Sequence, residues 1–355
     1  MKVFLVIPTL TAGGAERVVS ILANEWVLKP NVNVHLVLLS EGEIFYEIDS
    51  RVIIHELNLG VGLPIYKKPF SLFLLLIEFR KFVKDEQPDF VLSFMNKYNV
   101  FVLISLFNSR IKTFVSERDS PTEKIPFLTL FLRFITYKFA DGIITQTQFS
   151  KDYLVNIIKN QKVVVIPNPL SKTFINRAVV KEKIIINVGR LVEKKGQKYL
   201  IEAFSKLNSK GWKLVFLGDG HLRSELEKMI CNLKISDKVF FIGTTKNIGE
   251  WLNKSSIFAF PSILEGFPNA LAEAMSYGLP CVSFDCKTGP SDLINNGVNG
   301  FLVEEKDVQS FTEKIQILIE DDVLRAKLSS EAQKISLRLD SKIISDEYFN
   351  YCINR

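Results

Sequence analysis

Short apolar runs alternate with longer amphipathic stretches along the whole chain. Residues 3–7, 34–39, 52–57, 90–94, 112–116, 142–145 and 163–166 read as strands buried on both faces, being compact runs rich in β-branched and aromatic residues. Between them, 15–28, 70–83, 100–107, 127–139 and a stretch from Ser150 to about Ile158 carry helical spacing. Pro167-Asn168-Pro169 then marks a boundary, and the chain to about Lys181 reads as a linker. The same alternation restarts. Strands are expected at 183–188, 212–217, 239–242, 257–260, 281–284 and 300–303. Helices are expected at 197–207, 222–233, up to about 254, 290–294, 308–319, 322–336 and 343–351. This pattern predicts two β/α domains in tandem, each around a parallel sheet. Ligands of such sheets bind beyond the carboxyl ends of the strands, and two domains facing each other would enclose a cleft.

The most informative unit runs from Pro261 to Gly278. A strand leads into the turn Glu265-Gly266-Phe267-Pro268, and a helix opens with Pro268 near its first position, where a missing N–H costs little. Gly278 closes the helix and Pro280 follows. Free N–H groups of Gly266, Phe267, Asn269 and Ala270 are expected around the helix start, whose partial positive charge suits a diphosphate. Glu265 and Glu273 bracket that start and can bind hydroxyls on either side of the phosphates. A sugar nucleotide has that layout: sugar, diphosphate, ribose. Arg190, directly after Gly189 at a strand end, and Lys195 offer two cations for the same diphosphate. Lys194 is expected in solvent. Gly218-Asp219-Gly220 is by itself only a turn signal. Gly13-Gly14 is either a tight turn or a place where backbone approaches a ligand closely.

Composition narrows the classes. With 47% hydrophobic and 24% charged residues the chain is globular. A net charge of +6 fits an anionic ligand or membrane surface and is too small to indicate nucleic acid. The four cysteines form no C-x-x-C and no Cys/His cluster, so reduced thiols in a cytoplasmic setting are expected. The apolar start of the chain is too short for a signal peptide and reads as the first strand. No stretch approaches the roughly 18 apolar residues of a membrane span. Two helices are unusually rich in large apolar residues. One, 70–83, is flanked by Lys67, Lys68, Arg80, Lys81 and Lys84; the other, 127–139, carries Arg133 and Lys138. The second is a core helix or a membrane-surface helix, and the core is expected because apolar helices of α/β domains are mostly buried. Asp-x-Asp is absent and His35, His55 and His221 are scattered, so no metal site is expected. G-x-G-x-x-G, the P-loop and G-x-S-x-G are also absent, which argues against nicotinamide, P-loop and hydrolase chemistry.

Taken in order, several short motifs resemble the retaining glycosyltransferases of family four. They are Gly13-Gly14-Ala15-Glu16-Arg17, Asn187-Val188-Gly189-Arg190-Leu191 with Lys194-Lys195-Gly196, and Gly218-Asp219-Gly220. Glu265-Gly266-Phe267-Pro268-Asn269 with Glu273, then Gly289-Pro290-Ser291-Asp292-Leu293-Ile294 and Asn299-Gly300, complete the set. The resemblance covers nearly the whole chain. It implies the GT-B fold: two tandem Rossmann-like β/α/β domains with an inter-domain cleft. The division expected is 1–170 for the acceptor, 171–336 for the nucleotide sugar, and a C-terminal helix within 337–355 packing back on the first domain.

The resemblance implies sugar transfer from a nucleotide-diphosphate sugar with retention at the anomeric carbon. Glu265 would contact donor-sugar hydroxyls at the reaction centre, the N–H groups of Gly266 to Ala270 would hold the diphosphate, and Glu273 would bind ribose. Arg190 and Lys195 would neutralise the leaving diphosphate in place of a metal. Gly189, Gly218 and Asp219 would line the donor site, and Thr244, Asn247 and Ile248 would lie near the base. Gly14 would approach the donor, with Gly13, Glu16 and Arg118 on the acceptor side. Many relatives carry a His where Glu117-Arg118-Asp119 stands here, so a His-dependent role is not expected. Within the family the chain resembles bacterial polysaccharide and glycan-assembly transferases that extend lipid-diphosphate-linked sugars. The expected partners are therefore a UDP-sugar and an undecaprenyl-diphosphate-linked acceptor, with peripheral contact at the anionic inner face of the cytoplasmic membrane; for such an acceptor the helices at Phe70 to Lys84 and Phe127 to Lys138 are expected to touch the membrane. A UDP-sugar epimerase would need an acid/base set that the scarce histidines do not supply. A non-catalytic sugar-nucleotide-binding subunit would not need Glu265, Glu273, Arg190 and Lys195 together.

Overall fold

The computed structural model describes residues 1–59, 69–123, 126–158, 162–171, 175 and 179–355. Lys67 and Lys68, expected on the basic flank of the second helix, lie outside the described residues, as does part of the linker. The chain forms two units, Met1–Ser171 with Asp340–Arg355, and Lys172–Leu339.

In the first unit β1 (Lys2–Ile7), α1 (Gly14–Trp26), β2 (Asn33–Leu38) and β3 (Ile53–Glu56) are followed by α2 (Pro69–Glu86), β4 (Phe90–Phe94) and α3 (Asn96–Ser105). Then come β5 (Lys112–Ser116), α4 (Phe127–Thr136), β6 (Gly142–Thr145), α5 (Gln148–Ile158) and β7 (Val163–Val165). All strands pair in parallel in the order β3-β2-β1-β4-β5-β6-β7. The order reverses between β1 and β4, which is the switch point of a doubly wound sheet. Every residue of β4 and β6 is buried, as unbroken apolar runs require when helices cover both faces.

The second unit repeats the plan with β8 (Ile184–Val188), α6 (Gln197–Lys206), β9 (Lys213–Leu217), α7 (Arg223–Asn232), β10 (Val239–Gly243), α8 (Ile248–Lys254) and β11 (Ile257–Phe260). It continues through α9 (Asn269–Ser276), β12 (Cys281–Phe284), α10 (Pro290–Leu293), β13 (Gly300–Val303), α11 (Val308–Glu320), α12 (Asp322–Gln333) and α13 (Ile335–Arg338). The parallel sheet runs β10-β9-β8-β11-β12-β13, with its switch between β8 and β11. The single helix expected over 322–336 is two, α12 and α13.

The last helix, α14 (Ser341–Ile353), belongs to the first unit. It covers α1 on one face of that sheet. Trp26, fully buried, packs edge-on against Phe349 with centroids 5.3 Å apart and donates its indole N–H to the Ser345 carbonyl at 2.9 Å. Tyr348 and Cys352 are buried in the same core.

One expectation fails. The helix expected in the core, α4, lies at the surface: Phe127 is 81% exposed and Leu128, Phe131, Phe134 and Ile135 are exposed with it. The residues α4 buries are Arg133 and Thr136. Arg133 finds its counter-charge inward, in the buried Glu117, and that pair sets which side of the helix faces the sheet.

Candidate active site

The loop from β11 to α9 sits just past the switch point of the second sheet, where Asn187 of β8 donates to the Ala259 carbonyl of β11 at 2.8 Å. Glu265 is buried there, with 8% of its surface exposed. A carboxylate so placed needs partners. Lys195 Nζ lies 2.6 Å from Oε1, and the buried Ser262 hydroxyl donates to the same oxygen. The Thr288 hydroxyl donates to the Glu265 carbonyl and fixes the backbone from the other side. Sequence reasoning missed Ser262 and Thr288. Ser262 lies only three residues before Glu265, close enough for a hydroxyl partner of a buried carboxylate to be sought there. Burial, and then the Glu265 charge, push the Cys286 thiol up to about 12, so it stands near the site as a neutral group.

Helix α9 ends as its sequence predicts. Gly278 adopts a left-handed turn, donating to Met275, while Leu279 donates to Ala274 in the Schellman pattern. Its start differs in two details. Pro268 is the N-cap and precedes the first helical residue. The Asn269 N–H, expected to be free, donates to the Phe267 carbonyl at 3.0 Å, because the chain tightens into a turn before the helix. The N–H groups of Gly266, Phe267 and Ala270 find no acceptor among the described residues. Three unpaired donors at a helix start make an anion site. Glu273 is half-buried on the same helix.

The cations come from the loop after β8. Lys195 ends a short 3₁₀ turn, and Gly196 follows at φ +66°, where a Cβ would lie 2.0 Å from the Pro261 carbonyl oxygen. Only glycine permits that approach, and it brings Lys195 against the Glu265 loop. The Ile263 N–H donates to the Lys194 carbonyl at 2.9 Å, stitching the two loops together. Arg190 is exposed; its carbonyl accepts from Gln197 Nε2 at 2.9 Å, and its guanidinium makes no hydrogen bond or ion pair among the described residues. Gly189 donates to the Leu217 carbonyl at 2.9 Å. Gly218, at φ +130°, is packed so that a Cβ would sit 2.2 Å from the Gly189 carbonyl oxygen. The glycines thus let the loops after β8 and β9 lie on each other. Asp219 is engaged locally, capping the Gly220 N–H at 2.7 Å and pairing with Arg223 at 3.3 Å. Thr244 and Asn247 are exposed and Ile248 half-buried, in the loop after β10.

The first unit gathers the remaining candidates. Gly13 caps α1 and Gly14 is its first residue; the Tyr46 hydroxyl donates to the Gly13 carbonyl at 2.8 Å. Glu16 is buried in the first turn, and its charge, after burial itself, helps raise the Tyr98 phenol above its ordinary value. Arg118 is clamped. It donates to Asn168 and, at 3.2 Å, to the Tyr348 hydroxyl, and its guanidinium stacks 4.9 Å from the Phe94 ring centroid. Neighbouring Glu117 is held by Arg133 at 3.0 Å and by the Tyr137 hydroxyl, itself bonded to Asn99 at 3.1 Å. Burial raises the Glu117 carboxyl above its usual range, while Arg133 and Tyr137 pull it down. This network, too, was not read from the sequence. His35 and His55 stack on each other on β2 and β3, outside both groups of loops. Among the described residues no group of three or more His, Cys, Asp and Glu could hold a metal ion, and no helix is long and apolar enough to cross a membrane.

Two doubly wound parallel sheets in tandem, of seven and six strands, define the class of GT-B proteins. Residues 171–335 match the family model described as glycosyl transferases group 1, and residues 12–173 match that of glycosyltransferase family 4; the chain belongs to these glycosyltransferases. It is 27% identical over 352 residues to an α-1,4-N-acetyl-D-galactosaminyltransferase of Campylobacter jejuni, whose name specifies a saccharide on diphospho-undecaprenol, covering 98% of this chain and 97% of the relative. It is 29% identical over 343 residues to the amylovoran biosynthesis glycosyltransferase AmsD of Erwinia amylovora, covering 94% of each. Among solved structures, Anabaena HepE in complex with UDP and glucose superposes with a TM-score of 0.83 at 21% identity over 100% of both chains. Staphylococcus aureus TarM gives 0.70 at 22% identity, covering 79% of this chain, which spans 59% of that longer one.

Proposed function

We propose that the protein transfers a hexose or N-acetylhexosamine from a UDP-sugar, with retention at the anomeric carbon, to a saccharide carried on undecaprenyl diphosphate. The setting would be surface polysaccharide or glycan assembly, with peripheral contact at an anionic membrane surface. The observation that carries the donor half is the start of α9, where the N–H groups of Gly266, Phe267 and Ala270 have no acceptor among the described residues, directly after Glu265. The acceptor half rests on the relatives named above.

In this reading the acceptor hydroxyl oxygen bonds to the anomeric carbon as the bond from that carbon to the diphosphate breaks. The bonding electron pair leaves with UDP, and the proton of the acceptor hydroxyl passes to the departing phosphate oxygen. The free N–H groups and Arg190 meet the charge that grows on the diphosphate, and stabilising that charge lowers the barrier. Lys195 begins paired with Glu265, so the two form a preset charge pair. The cation turns to the diphosphate, and the carboxylate, backed by Ser262, meets the sugar hydroxyls. Glu273 holds ribose; Thr244, Asn247 and Ile248 lie toward the base; Gly189, Gly218 and Asp219 shape the floor. Gly14 is assigned to the donor, and Gly13, Glu16 and Arg118 to the acceptor. No metal takes part.

Incubation with a panel of UDP-sugars and an undecaprenyl-diphosphate-linked acceptor tests the reading. UDP release with an extended product in the presence of a chelator is expected. Interconversion of UDP-sugars without product would instead identify an epimerase, and binding without turnover a subunit.

A further inference from the structure

Helix α4 is amphipathic in the inverse sense. A surface helix of a globular domain turns its apolar stripe inward and its charges outward. In α4 the buried residues are Arg133 and Thr136, with Leu132 partly buried against the core, while Phe127, Leu128, Phe131, Phe134 and Ile135 face out. The inversion is locked. Arg133 Nη2 lies 3.0 Å from Glu117 Oε2, both side chains are only 4% exposed, and the Tyr137 hydroxyl holds the other carboxylate oxygen. Rolling the helix to hide its rings would strip Glu117 of its counter-charge, and an unpaired buried charge costs several kcal/mol. The apolar face is therefore held outward.

The surface continues past α4. Phe107 and Phe139, each about half exposed, meet edge-on with centroids 4.7 Å apart. Helix α3 packs against both α2 and α4, and Phe73, Leu74 and Ile77 of α2 are exposed as well. Scattered apolar residues need no explanation, but a surface this broad marks an interaction site. Its fringe carries cations. Lys138 Nζ sits 4.1 Å over the Phe134 ring, Arg80 donates to the Ser105 and Phe107 carbonyls at 2.9 and 2.8 Å, and Lys81 and Lys84 are exposed on α2 beside the acidic Glu78 and Asp85. Aromatic rings with lysines at their edge match the headgroup region of an anionic bilayer, where rings insert and long cationic stems reach back to phosphate. A second copy of the chain would bring the same cations together across a two-fold axis.

We infer that the outward face of α4, continued by Phe107, Phe139 and the exposed residues of α2, is the docking surface of the first domain for an anionic bilayer, seated chiefly by its phenylalanines. The inference rests on the reading that the acceptor is lipid-linked and assigns the contact to one face. The test is flotation of the full chain with phosphatidylethanolamine/phosphatidylglycerol vesicles. It compares the wild type with a Phe127→Ser/Phe131→Ser/Phe134→Ser variant, with UDP binding measured by calorimetry on both. The wild type should float and keep part of its binding at high salt, since apolar insertion is not screened as charge attraction is. The variant should lose about tenfold or more in vesicle partition, because three exposed rings no longer leave water, and should bind UDP unchanged. Lys138→Glu should weaken binding at low salt only. A variant that floats as well as the wild type overturns this face while leaving the lipid-linked acceptor standing. A wild type that never floats overturns both the face and the peripheral contact. A wild-type dimer that the variant dissociates assigns the face to a second copy and overturns the bilayer. Absence of UDP binding in both proteins strikes the donor reading alone.

Discussion

Helices α9 and α4 each follow a parallel strand of a doubly wound sheet, and they dispose their polar groups in opposite ways. Helix α9 buries Leu271, Ala272, Ala274 and Met275 and leaves backbone donors open at its start. Helix α4 buries a charge and leaves phenylalanines open along its length. In the first case the apolar stripe sets the orientation, as the hydrophobic effect alone would. In the second a buried ion pair marks the inward side instead. An apolar residue left in water costs about 1.5–3 kcal/mol relative to burial, so the five outward residues together outweigh the about 3–5 kcal/mol of breaking one buried pair, and the outward face is accounted for energetically when an apolar phase covers it. What each helix leaves unsatisfied points to its use: donors for an anion, rings for an apolar phase.

The largest effect should come from breaking the pair that orients α4. Arg133→Met leaves Glu117 buried without its cation and should lower the stability of the first unit by about 3–5 kcal/mol. Denaturant unfolding followed by fluorescence measures it. Adding Glu117→Leu removes the orphaned charge and should recover most of the loss. If Arg133→Met unfolds at the wild-type midpoint, the pair does not hold the helix.

At α9 the corresponding break is Glu265→Gln, which keeps the shape and removes the charge paired with Lys195. Turnover should fall roughly 10²–10³-fold, the size expected for losing one preorganised charge contact to a reaction centre. The UDP dissociation constant should move severalfold at most. Steady-state kinetics with calorimetry separates the two, and an unchanged kcat would remove Glu265 from the chemistry.

These two regions also differ in how far the sequence exposes them. The strand before α9, the glycine that ends it and the carboxylates Glu265 and Glu273 all follow from local residue types, because turns, caps and alternating runs are set within a few positions. β4, β5, β6, β11, β12 and β13 fall at the residues expected. The pairing of the Asn269 N–H is not legible locally, because a turn between Phe267 and Asn269 depends on backbone angles that Pro268 alone does not determine. The face of α4 is hidden from the sequence for a different reason. Its orientation depends on Glu117, 16 residues away, and no periodicity within 127–139 reveals a partner outside it. The contact between the Arg118 guanidinium and Tyr348, 230 positions on, is equally beyond the reach of local pattern.

A smaller effect should sharpen the donor side. Glu273→Ala removes the carboxylate assigned to ribose and should weaken UDP binding about tenfold, the equivalent of roughly 1.4 kcal/mol and the scale of a hydrogen bond to a charged group. Turnover at saturating donor should change little. Equal losses in kcat and affinity would place Glu273 at the reaction centre and break the division of labour between the two carboxylates.

The smallest effect separates the two units by pH. His35 and His55 stack with centroids 5.1 Å apart, with Nδ1 of one 2.8 Å from Nε2 of the other. Burial comes first in lowering both imidazoles below the ordinary histidine value of 6.5; the His55 charge adds to it for His35, and Lys2 lowers both further. Glu86, paired with Lys2 at 3.0 Å, opposes the shift without reversing it. A histidine whose folded pKa is depressed binds protons more readily in the unfolded chain, so its contribution to stability is complete above pH 6.5. That contribution is lost as pH falls from 6.5 through the folded values. Both residues lie in the first unit, so its melting should move down between pH 7 and 5 while the second unit is unaffected by this pair. His35→Asn with His55→Gln should flatten that slope, read by hydrogen exchange of amides in β2 and β3 against those in β8 and β11. Equal acid sensitivity of the two sheets, unchanged in the double variant, would show that this pair does not govern it.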